Sequence, residues 1–196
     1  MKLCVIPARG GSKRIPRKNI KFFCGKPMIY WSIDLALKSK CFDKIIVSTD
    51  DPEIADLAKS FGADVPFMRP KKLSDEYTAT VPVISHAIKW QIKHHQKPLY
   101  VCCIYPTAPF IKLSDLKNGL KILKSSGCEY SFSATSYAYP IQRSFKVTKN
   151  KRLKMFYPEH YDSRSQDLEE AFHDAGQFYW GLTDAWLEQK QVICEN

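Results

Sequence analysis

Short apolar segments of strand length alternate along this sequence with longer segments whose apolar residues recur at helical spacing. The first segment, Lys2–Pro7 (KLCVIP), predicts a buried strand. The later predicted strands are Lys44–Ser48, Asp64–Phe67, Leu99–Tyr105, Tyr130–Thr135 and Asp174–Leu182, and the predicted helices between them are Pro27–Ser39, Pro52–Phe61, Thr80–His95 and Ser114–Lys124. This alternation predicts an α/β fold with a mostly parallel central sheet and helices on both faces.

Composition and cysteine use exclude several classes of protein. Of the 196 residues, 44% are hydrophobic and 26% are charged, values typical of a folded chain. No apolar run approaches membrane-spanning length, and the N-terminal MKLCVIPARGG lacks the shape of a signal peptide. Seven cysteines, at positions 4, 24, 41, 102, 103, 128 and 194, include no C-x-x-C pair, which disfavours a disulfide framework or a zinc ribbon. We expect a single cytoplasmic domain, residues 1–196, with no membrane partner.

The net charge of +10 is concentrated near the start of the chain. Residues 1–33 hold eight Lys and Arg side chains and no acid, which leaves 22 basic against 20 acidic residues in the rest. Surfaces that bind nucleic acid tend to spread along a face or a tail. The local excess instead favours a small polyphosphate ligand, and we expect no nucleic-acid partner. A nucleic-acid-binding module, whose affinity would fall steeply with salt, remains the alternative from another class.

A glycine-rich basic loop, residues 8–19 (ARGGSKRIPRKN), follows the first predicted strand. Ligands of open α/β sheets bind at the carboxyl ends of the strands. Gly10 and Gly11 allow the backbone to curl so that successive N–H groups face one anion, while Arg and Lys supply charge for phosphate oxygens. The loop matches neither G-x-x-x-x-G-K-[ST] nor G-x-G-x-x-G. We predict a phosphate site here, with a solvated basic turn as the alternative.

The stretch IPARGGSKRIPRKN closely resembles the N-terminal signature of the sugar-acid cytidylyltransferases, the family of the CMP-sialic acid synthetases. Further segments match in order (GKPMIYWSI, FDKIIVSTDD, ADVPFMRP and PTAP), so the resemblance covers nearly the whole chain. It implies a Rossmann-like nucleotidyltransferase fold, CTP and a sugar acid as substrates, and Mg²⁺ as cofactor. The anomeric hydroxyl of the sugar acid would attack the α-phosphorus of CTP and release pyrophosphate.

The identity of the sugar rests on fewer features. Residues 157–181 are most similar to the branch that activates pseudaminic acid, a nine-carbon sugar related to sialic acid. The same reaction on N-acetylneuraminic, legionaminic or 3-deoxy-manno-octulosonic acid remains open, as does nucleotide binding without catalysis.

In this family the first loop wraps the triphosphate of CTP. The resemblance therefore implies that the nucleotide is bound by Ala8, Arg9, Gly10, Gly11, Ser12, Lys18 and Asn19, with Asn19 near the cytosine. It makes Arg9 and Lys18 the catalytic residues, because their charges would balance the charge that develops on pyrophosphate. Arg69 and Thr80 match positions that contact the cytidine, but Arg69 also suits an ordinary loop and Thr80 a helix N-cap.

The sugar acid is expected at the turn after the predicted strand Leu99–Tyr105 and along the polar segment 137–172. The resemblance implies substrate contacts from Tyr105, Thr107, Arg164, Gln166, Gln177 and Phe178. Tyr105 replaces a Gln that is common in sialic acid enzymes. The pattern of 137–172 predicts a hairpin or an extended arm, and the resemblance makes it a dimerisation arm that reaches over the partner's site, so that a homodimer is expected.

The metal site is the largest departure from the family pattern. A D-x-D motif that holds Mg²⁺ usually follows the last strand, and the residues after Leu182 contain none. Either the sequence is part of a longer chain or the site is built otherwise. Asp174 and Asp184 are the nearest acids, and we predict Asp174 as the metal ligand. No residue is indicated as a general base, which favours metal-assisted deprotonation of the sugar hydroxyl.

Overall fold

The computed structural model describes residues 1–193, so Cys194 lies outside the described residues. The chain divides into two compact units. One comprises Met1–Ser133 together with the chain from Gly176 onward, and the other comprises Ala134–Ala175. The second unit contains the segment 137–172, whose role in dimerisation stays a prediction.

The elements follow the predicted alternation of strands and helices. The strands are β1 (Lys2–Pro7), β2 (Phe22–Phe23), β3 (Lys26–Pro27), β4 (Lys44–Ser48), β5 (Tyr100–Ile104), β6 (Tyr130–Ser136), β7 (Phe145–Val147), β8 (Leu153–Met155) and β9 (Phe172–Leu182). The helices are α1 (Met28–Ser39), α2 (Pro52–Ser60), α3 (Thr80–His94), α4 (Leu113–Ser126) and α5 (Thr183–Leu187). No helix among residues 1–193 has the length and apolar character needed to cross a bilayer.

Five strands form the central sheet in the order β4-β1-β5-β9-β6. β1 is the parallel neighbour of both β4 and β5, with Val5 opposite Ile46 on one side and Cys103 on the other. β9 returns antiparallel to β5. The predicted α/β class with a mostly parallel sheet is confirmed. Parallel strands need crossover connections, and helices supply them here.

Alternate residues of the strands enter two separate cores, one on each face of the sheet. Cys4 and Ile6 of β1 pack with α1, α2 and α4, whereas Leu3 and Val5 pack with α3 and α5. Because both faces are covered, β1 is apolar at successive positions, which is why its sequence shows no alternation. The layers leave the carboxyl ends of β1, β4 and β5 together at one edge of the sheet.

Local signals set most of the helix ends. Asp51 caps α2 by accepting a hydrogen bond from Ile54 N–H at 3.1 Å. Gly62 and Gly127 follow α2 and α4 with positive φ, and the sequence predicts both as glycines at helix ends. The sequence predicts Ser114 as the N-cap of α4, but the helix begins one residue earlier, at Leu113, and Lys112 occupies the cap position.

The predicted strand Asp64–Phe67 does not form. Its region makes only isolated bridges to the sheet, at Asp64 beside Ile46 and at Met68 beside Thr49. Pro66 lies between the two bridges and lacks the N–H group that a continuous ladder would need. In the second unit, β7 and β8 pair as an antiparallel hairpin.

Candidate active site

A cavity of about 760 Å³ opens at the carboxyl edge of the sheet, and we call it the loop cavity. It is bordered by the basic loop, by residues 76–80 before and at the start of α3, and by the turn after β5. The lining residues are Pro7, Arg9, Ser12, Lys13, Arg14, Ile15, Lys18, Asn19, Arg69, Glu76, Tyr77, Thr78, Ala79, Thr80, Val83, Tyr105, Pro106 and Thr107. The structure therefore brings together eight of the predicted site residues: Arg9, Ser12, Lys18, Asn19, Arg69, Thr80, Tyr105 and Thr107.

The topology of the sheet explains this convergence. β1 ends at Pro7 and β5 at Ile104, so the basic loop and the 105–107 turn start from neighbouring strand ends. Arg69 joins them because its backbone N–H donates to the carbonyl of Thr49 at 2.7 Å, directly after β4. Residues far apart in sequence thus meet at the edge where open α/β sheets bind their ligands.

The basic loop is tied to its surroundings at several points. Arg17 adopts a left-handed conformation, φ 55°, and its guanidinium pairs with Asp51 and Glu53 at the start of α2. The amide Nδ2 of buried Asn19 donates to the carbonyl of Arg9 at 2.8 Å. These contacts give the loop a defined conformation, although half of its residues are exposed.

The cations around the loop cavity fall into two groups. Lys13 pairs with Glu76 at 2.7 Å, Arg17 pairs with acids of α2, and Arg69 lies 3.5 Å from Asp50. The other three, Arg9, Arg14 and Lys18, have no carboxylate at ion-pair distance within residues 1–193; Arg9 donates to the backbone carbonyl of Asp75 at 2.7 Å. These three charges can bind an anion without first leaving an acid.

Mutual repulsion and burial act on the ionisation of these cations. Burial lowers the pKa of the Lys18 ammonium, and the positive charges of Arg14 and Arg9 lower it further. Burial also lowers the pKa of Arg69, although the carboxylate of Asp50 opposes that shift. The negative charge of a polyanion in the cavity would offset this repulsion between the cations, which favours its binding.

Two backbone N–H groups of the loop already have acceptors in the protein. Gly10 N–H donates to Asp50 Oδ1 at 3.0 Å, and Ser12 N–H donates to the carbonyl of Gly10 at 3.0 Å. A Cβ on residue 10 would overlap the carboxylate of Asp51, so this position needs a glycine for close approach. The proposed gathering of loop N–H groups at one anion stays a prediction.

Thr80 and Tyr105 meet across the cavity, with their hydroxyl oxygens 3.1 Å apart. Thr80 is the first residue of α3, and the cap position before it, Ala79, makes no side-chain capping bond. The hydroxyl of Thr80 is therefore turned to the cavity rather than used as an N-cap. The backbone of Tyr105 is fixed on two sides, since its N–H donates to Gln177 and its carbonyl accepts from Ser32 at 2.8 Å.

The remaining predicted residues lie elsewhere. Ala8 is buried below the loop, and Phe178, 3% exposed, packs its ring against Gly119 of α4. In the second unit, exposed Arg164 pairs with Asp167 at 2.6 Å and Gln166 occupies the turn Ser165–Asp167. Gln177 lies on β9. Substrate contacts by these residues stay predictions, and a contact through Phe178 would require its ring to leave the core.

The donor set for Mg²⁺ is incomplete at the loop cavity. Within residues 1–193 no three His, Cys, Asp or Glu side chains come together as ligands. Asp50, Asp51 and Glu76 each pair with a cation, and the predicted ligand Asp174 belongs to the second unit. These residues do not form a metal site without the phosphate oxygens of a bound nucleotide, so no step below depends on a metal.

The predicted site omitted Arg14, Glu76 and Asp50. Arg14 stands in the acid-free stretch that the charge count singled out, so its sequence signal was available. Glu76 faces Lys13 from a segment 63 residues away, and Asp50 faces Gly10 across 40 residues. A single sequence carries no signal for such pairs.

Comparison with known proteins agrees with this geometry. A family model described as cytidylyltransferase matches residues 3–178. The chain is 48% identical over 191 residues to pseudaminic acid cytidylyltransferase of Campylobacter jejuni, with 97% of this chain and 82% of that protein covered. It is 34% identical over 196 residues to a longer Helicobacter pylori protein named pseudaminic acid cytidylyltransferase and UDP-2,4-diacetamido-2,4,6-trideoxy-beta-L-altropyranose hydrolase, of which 37% is covered.

Solved structures give the same fold. A CMP:2-keto-3-deoxy-manno-octonic acid synthetase complexed with CTP aligns over 99% of this chain and 79% of its own, with a TM-score of 0.71 at 18% identity. The 4-diphosphocytidyl-2C-methyl-D-erythritol synthase of Anaerococcus prevotii aligns over 99% and 80%, with a TM-score of 0.62 at 11% identity. These likenesses confirm the predicted nucleotidyltransferase fold. With the family match and the identity to the Campylobacter protein, they lead to one conclusion: this chain belongs to the cytidylyltransferase family.

Proposed function

We propose that this chain transfers the cytidylyl group of CTP to pseudaminic acid. The observation that carries the choice of sugar is the 48% identity, over 97% of the chain, to the pseudaminic acid cytidylyltransferase of Campylobacter jejuni. The loop cavity supports the choice of a nucleotide, because three cations that have no acid partner among residues 1–193 face a space large enough for one.

In the proposed reaction the anomeric hydroxyl oxygen of the sugar acid attacks the α-phosphorus of CTP. A new P–O bond forms to the sugar, the bond between the α-phosphorus and the bridging oxygen breaks, and pyrophosphate carries the bond electrons away. The hydroxyl loses its proton to solvent. The products are a CMP-sugar and pyrophosphate.

Arg9 and Lys18 are the proposed catalytic residues. Both line the loop cavity and both lack carboxylate partners within the described residues. Negative charge accumulates on the leaving pyrophosphate, and cations held close to it lower the barrier. Asn19 and Arg69 are proposed nucleotide contacts. The resemblance places Thr80 at the cytidine and Tyr105 at the sugar, and the hydroxyl groups of these two residues contact each other. Thr107 is a further proposed contact to the sugar.

The proposal includes Mg²⁺ with Asp174 as its ligand. It also includes a homodimer that forms through segment 137–172. We further expect a cytoplasmic location and no nucleic-acid binding. Mg²⁺ in nucleotide enzymes is held largely by phosphate oxygens and few protein ligands. Titration of Mg²⁺ in the activity assay, with Asp174→Asn beside the unchanged chain, tests the metal. Light scattering tests the dimer, and a mobility-shift assay with long DNA and RNA tests the expected lack of binding.

Pyrophosphate release is the decisive experiment. The protein is supplied with CTP and Mg²⁺, and pseudaminic, N-acetylneuraminic, legionaminic and 3-deoxy-manno-octulosonic acids are compared in parallel. The proposal expects release with pseudaminic acid at a kcat/KM well above that for the other three. Faster release with another acid would replace the sugar and keep the reaction. If calorimetry shows CTP binding but no pyrophosphate is released with any of the four sugar acids, nucleotide binding without catalysis would be favoured.

A further inference from the structure

The carboxylate of Asp50 lies directly behind the loop cavity. Asp50 comes two residues after the end of β4, at the same sheet edge as the loop. Its Oδ1 atom accepts the N–H of Gly10 at 3.0 Å and lies 3.5 Å from Nη2 of Arg69. Asp50 itself is not among the residues of the described chain that line the cavity. One oxygen atom thus contacts two parts of the proposed nucleotide site from outside it.

The first of these parts is the peptide group that joins Arg9 to Gly10. Its N–H donates to Asp50, and its carbonyl oxygen accepts from Asn19 Nδ2 at 2.8 Å. Both ends of one peptide plane are therefore held by side chains. The plane cannot rotate without losing a hydrogen bond, which fixes the point from which the Arg9 side chain extends toward the cavity.

The second part is the guanidinium of Arg69. Its side chain is only 4% exposed, and its Nε and Nη2 atoms have no hydrogen-bond partner within the described residues. A buried cation is costly without an opposite charge nearby, and the positive charge of Arg9 adds repulsion. Burial lowers the pKa of Arg69, whereas Asp50 counteracts that effect. Asp50 is therefore the carboxylate that compensates the buried charge of Arg69.

We propose that Asp50 is a positioning residue for the cytidylyl transfer: its carboxylate holds Arg9 and Arg69 in place for the nucleotide and does not itself touch the nucleotide. This inference rests on the proposed function for the identity of the anion. The sign of the change in CTP affinity separates this positioning role from a purely Coulombic effect of the carboxylate.

The test is the affinity for CTP after Asp50→Asn. Removing a negative charge beside a polyanion site should tighten CTP binding by Coulomb attraction alone. If Asp50 positions the two arginines, binding should weaken instead, by about tenfold, because Arg69 loses its counter-charge while the amide oxygen still accepts from Gly10. Calorimetry with CTP in the absence of sugar gives the dissociation constant. Affinity equal to or tighter than that of the unchanged protein overturns the proposal.

Asp34→Asn is the matched control. The side chain of Asp34 is 24% exposed and pairs with Lys38, whereas that of Asp50 is 26% exposed and pairs with Arg69. Asp34 is on α1 and does not line the cavity. Its substitution should leave CTP affinity unchanged. Thermal melts of both variants report any loss of folded protein separately.

A double-mutant cycle tests the route through Arg69. On an Arg69→Ala background, Asp50→Asn should change CTP affinity less than twofold, because the guanidinium that loses its counter-charge is already gone and the amide oxygen still accepts from Gly10. A full tenfold loss of CTP affinity on that background would contradict the inference that Asp50 acts through Arg69. In the active enzyme, Asp50→Asn should raise the KM for CTP and leave the KM for the sugar acid unchanged, whereas partial unfolding would lower kcat alone.

Failure of the proposed function is recognised separately. If the unchanged protein binds CTP without turnover, the proposed reaction fails while the calorimetric test of Asp50 still stands. The same titrations with inorganic triphosphate examine Asp50 without the nucleoside, and the inference expects the same order of affinities. Equal binding of triphosphate by the unchanged protein and by Asp50→Asn would overturn the inference and leave the proposed reaction untouched.

Discussion

Two cavities at opposite edges of the same sheet hold Lys side chains in different electrostatic settings. The loop cavity lies where β1, β4 and β5 end. A second cavity of about 440 Å³, which we call the rear cavity, lies where β5 begins and is lined by Lys97, Pro98, Leu99, Glu129, Leu182, Thr183, Asp184, Ala185, Glu188 and Lys190. Both have the concave form of a ligand site, so shape alone does not distinguish them.

Charge pairing does distinguish them. In the rear cavity Lys97 pairs with Asp184, and Lys190 pairs with Glu129 and Glu188. An anion there would have to displace an acid from each cation. In the loop cavity Arg9, Arg14 and Lys18 have no such acids among residues 1–193. Net uncompensated charge therefore favours the loop cavity as the proposed anion site, and substitutions at the two cavities should differ in effect.

Lys18→Ala should give the largest effect. Loss of a cation that balances charge on the leaving pyrophosphate is expected to lower kcat by about 100-fold or more. Lys97→Ala in the rear cavity is the control, since it also removes one lysine, and it should leave kcat within twofold. Steady-state pyrophosphate release measures both. Normal turnover by Lys18→Ala would remove this residue from the proposed mechanism.

The pH dependence of CTP binding should follow Lys18. Burial and the charges of Arg14 and Arg9 lower its pKa, so it loses its proton below the ordinary lysine value of 10.5. The protonated form attracts the triphosphate, and affinity should fall as pH rises through the lowered pKa. Lys18→Arg keeps the charge at alkaline pH and should abolish that fall. Calorimetry across an alkaline pH series decides, and an unchanged pH profile for Lys18→Arg would assign the fall to another group.

Arg14→Ala should have an intermediate effect. Arg14 lines the loop cavity and lacks an acid partner in the described chain, so its removal should weaken CTP binding by about tenfold. It should also raise the pKa of Lys18, because one repelling charge is lost. The alkaline fall in affinity would then move to higher pH. Arg152→Ala, an exposed arginine of the second unit, is the control. Unchanged affinity in Arg14→Ala would limit the anion site to Arg9 and Lys18.

The difference between the two cavities also marks what the sequence could predict. The acid-free stretch and the glycines of the loop are local features, and they predict an anion site at the place where the structure forms the loop cavity. The alternation of elements predicts the α/β class, whereas the order of the strands and the antiparallel return of β9 come only from the structure. The pairing of Lys13 with Glu76, or of Gly10 with Asp50, depends on how distant segments approach, and nothing near either residue in sequence encodes it.

The errors of detail have the same origin. The strand predicted at Asp64–Phe67 has suitable residues, but Pro66 interrupts the ladder and only single bridges form. The helix predicted from Ser114 starts at Leu113 because helix ends depend on the approach of the preceding chain as well as on the cap residue. The substrate contact of Phe178 stays a prediction, but the position of its ring on the face of β9 under α4 is visible only once the strand register is known.

Glu76→Gln should give the smallest effect and the most direct test of the charge argument. Its loss leaves Lys13 without an acid, which makes Lys13 resemble Arg14 and should tighten CTP binding by about twofold to fivefold. The side chain of Lys13 is 74% exposed, so the gain should vanish at high salt as the charges are screened. Glu188→Gln removes one of the two acids that pair with Lys190 in the rear cavity and should leave CTP affinity unchanged. A gain that persists in 1 M salt would mean that Glu76 blocks the cavity sterically rather than by neutralising Lys13.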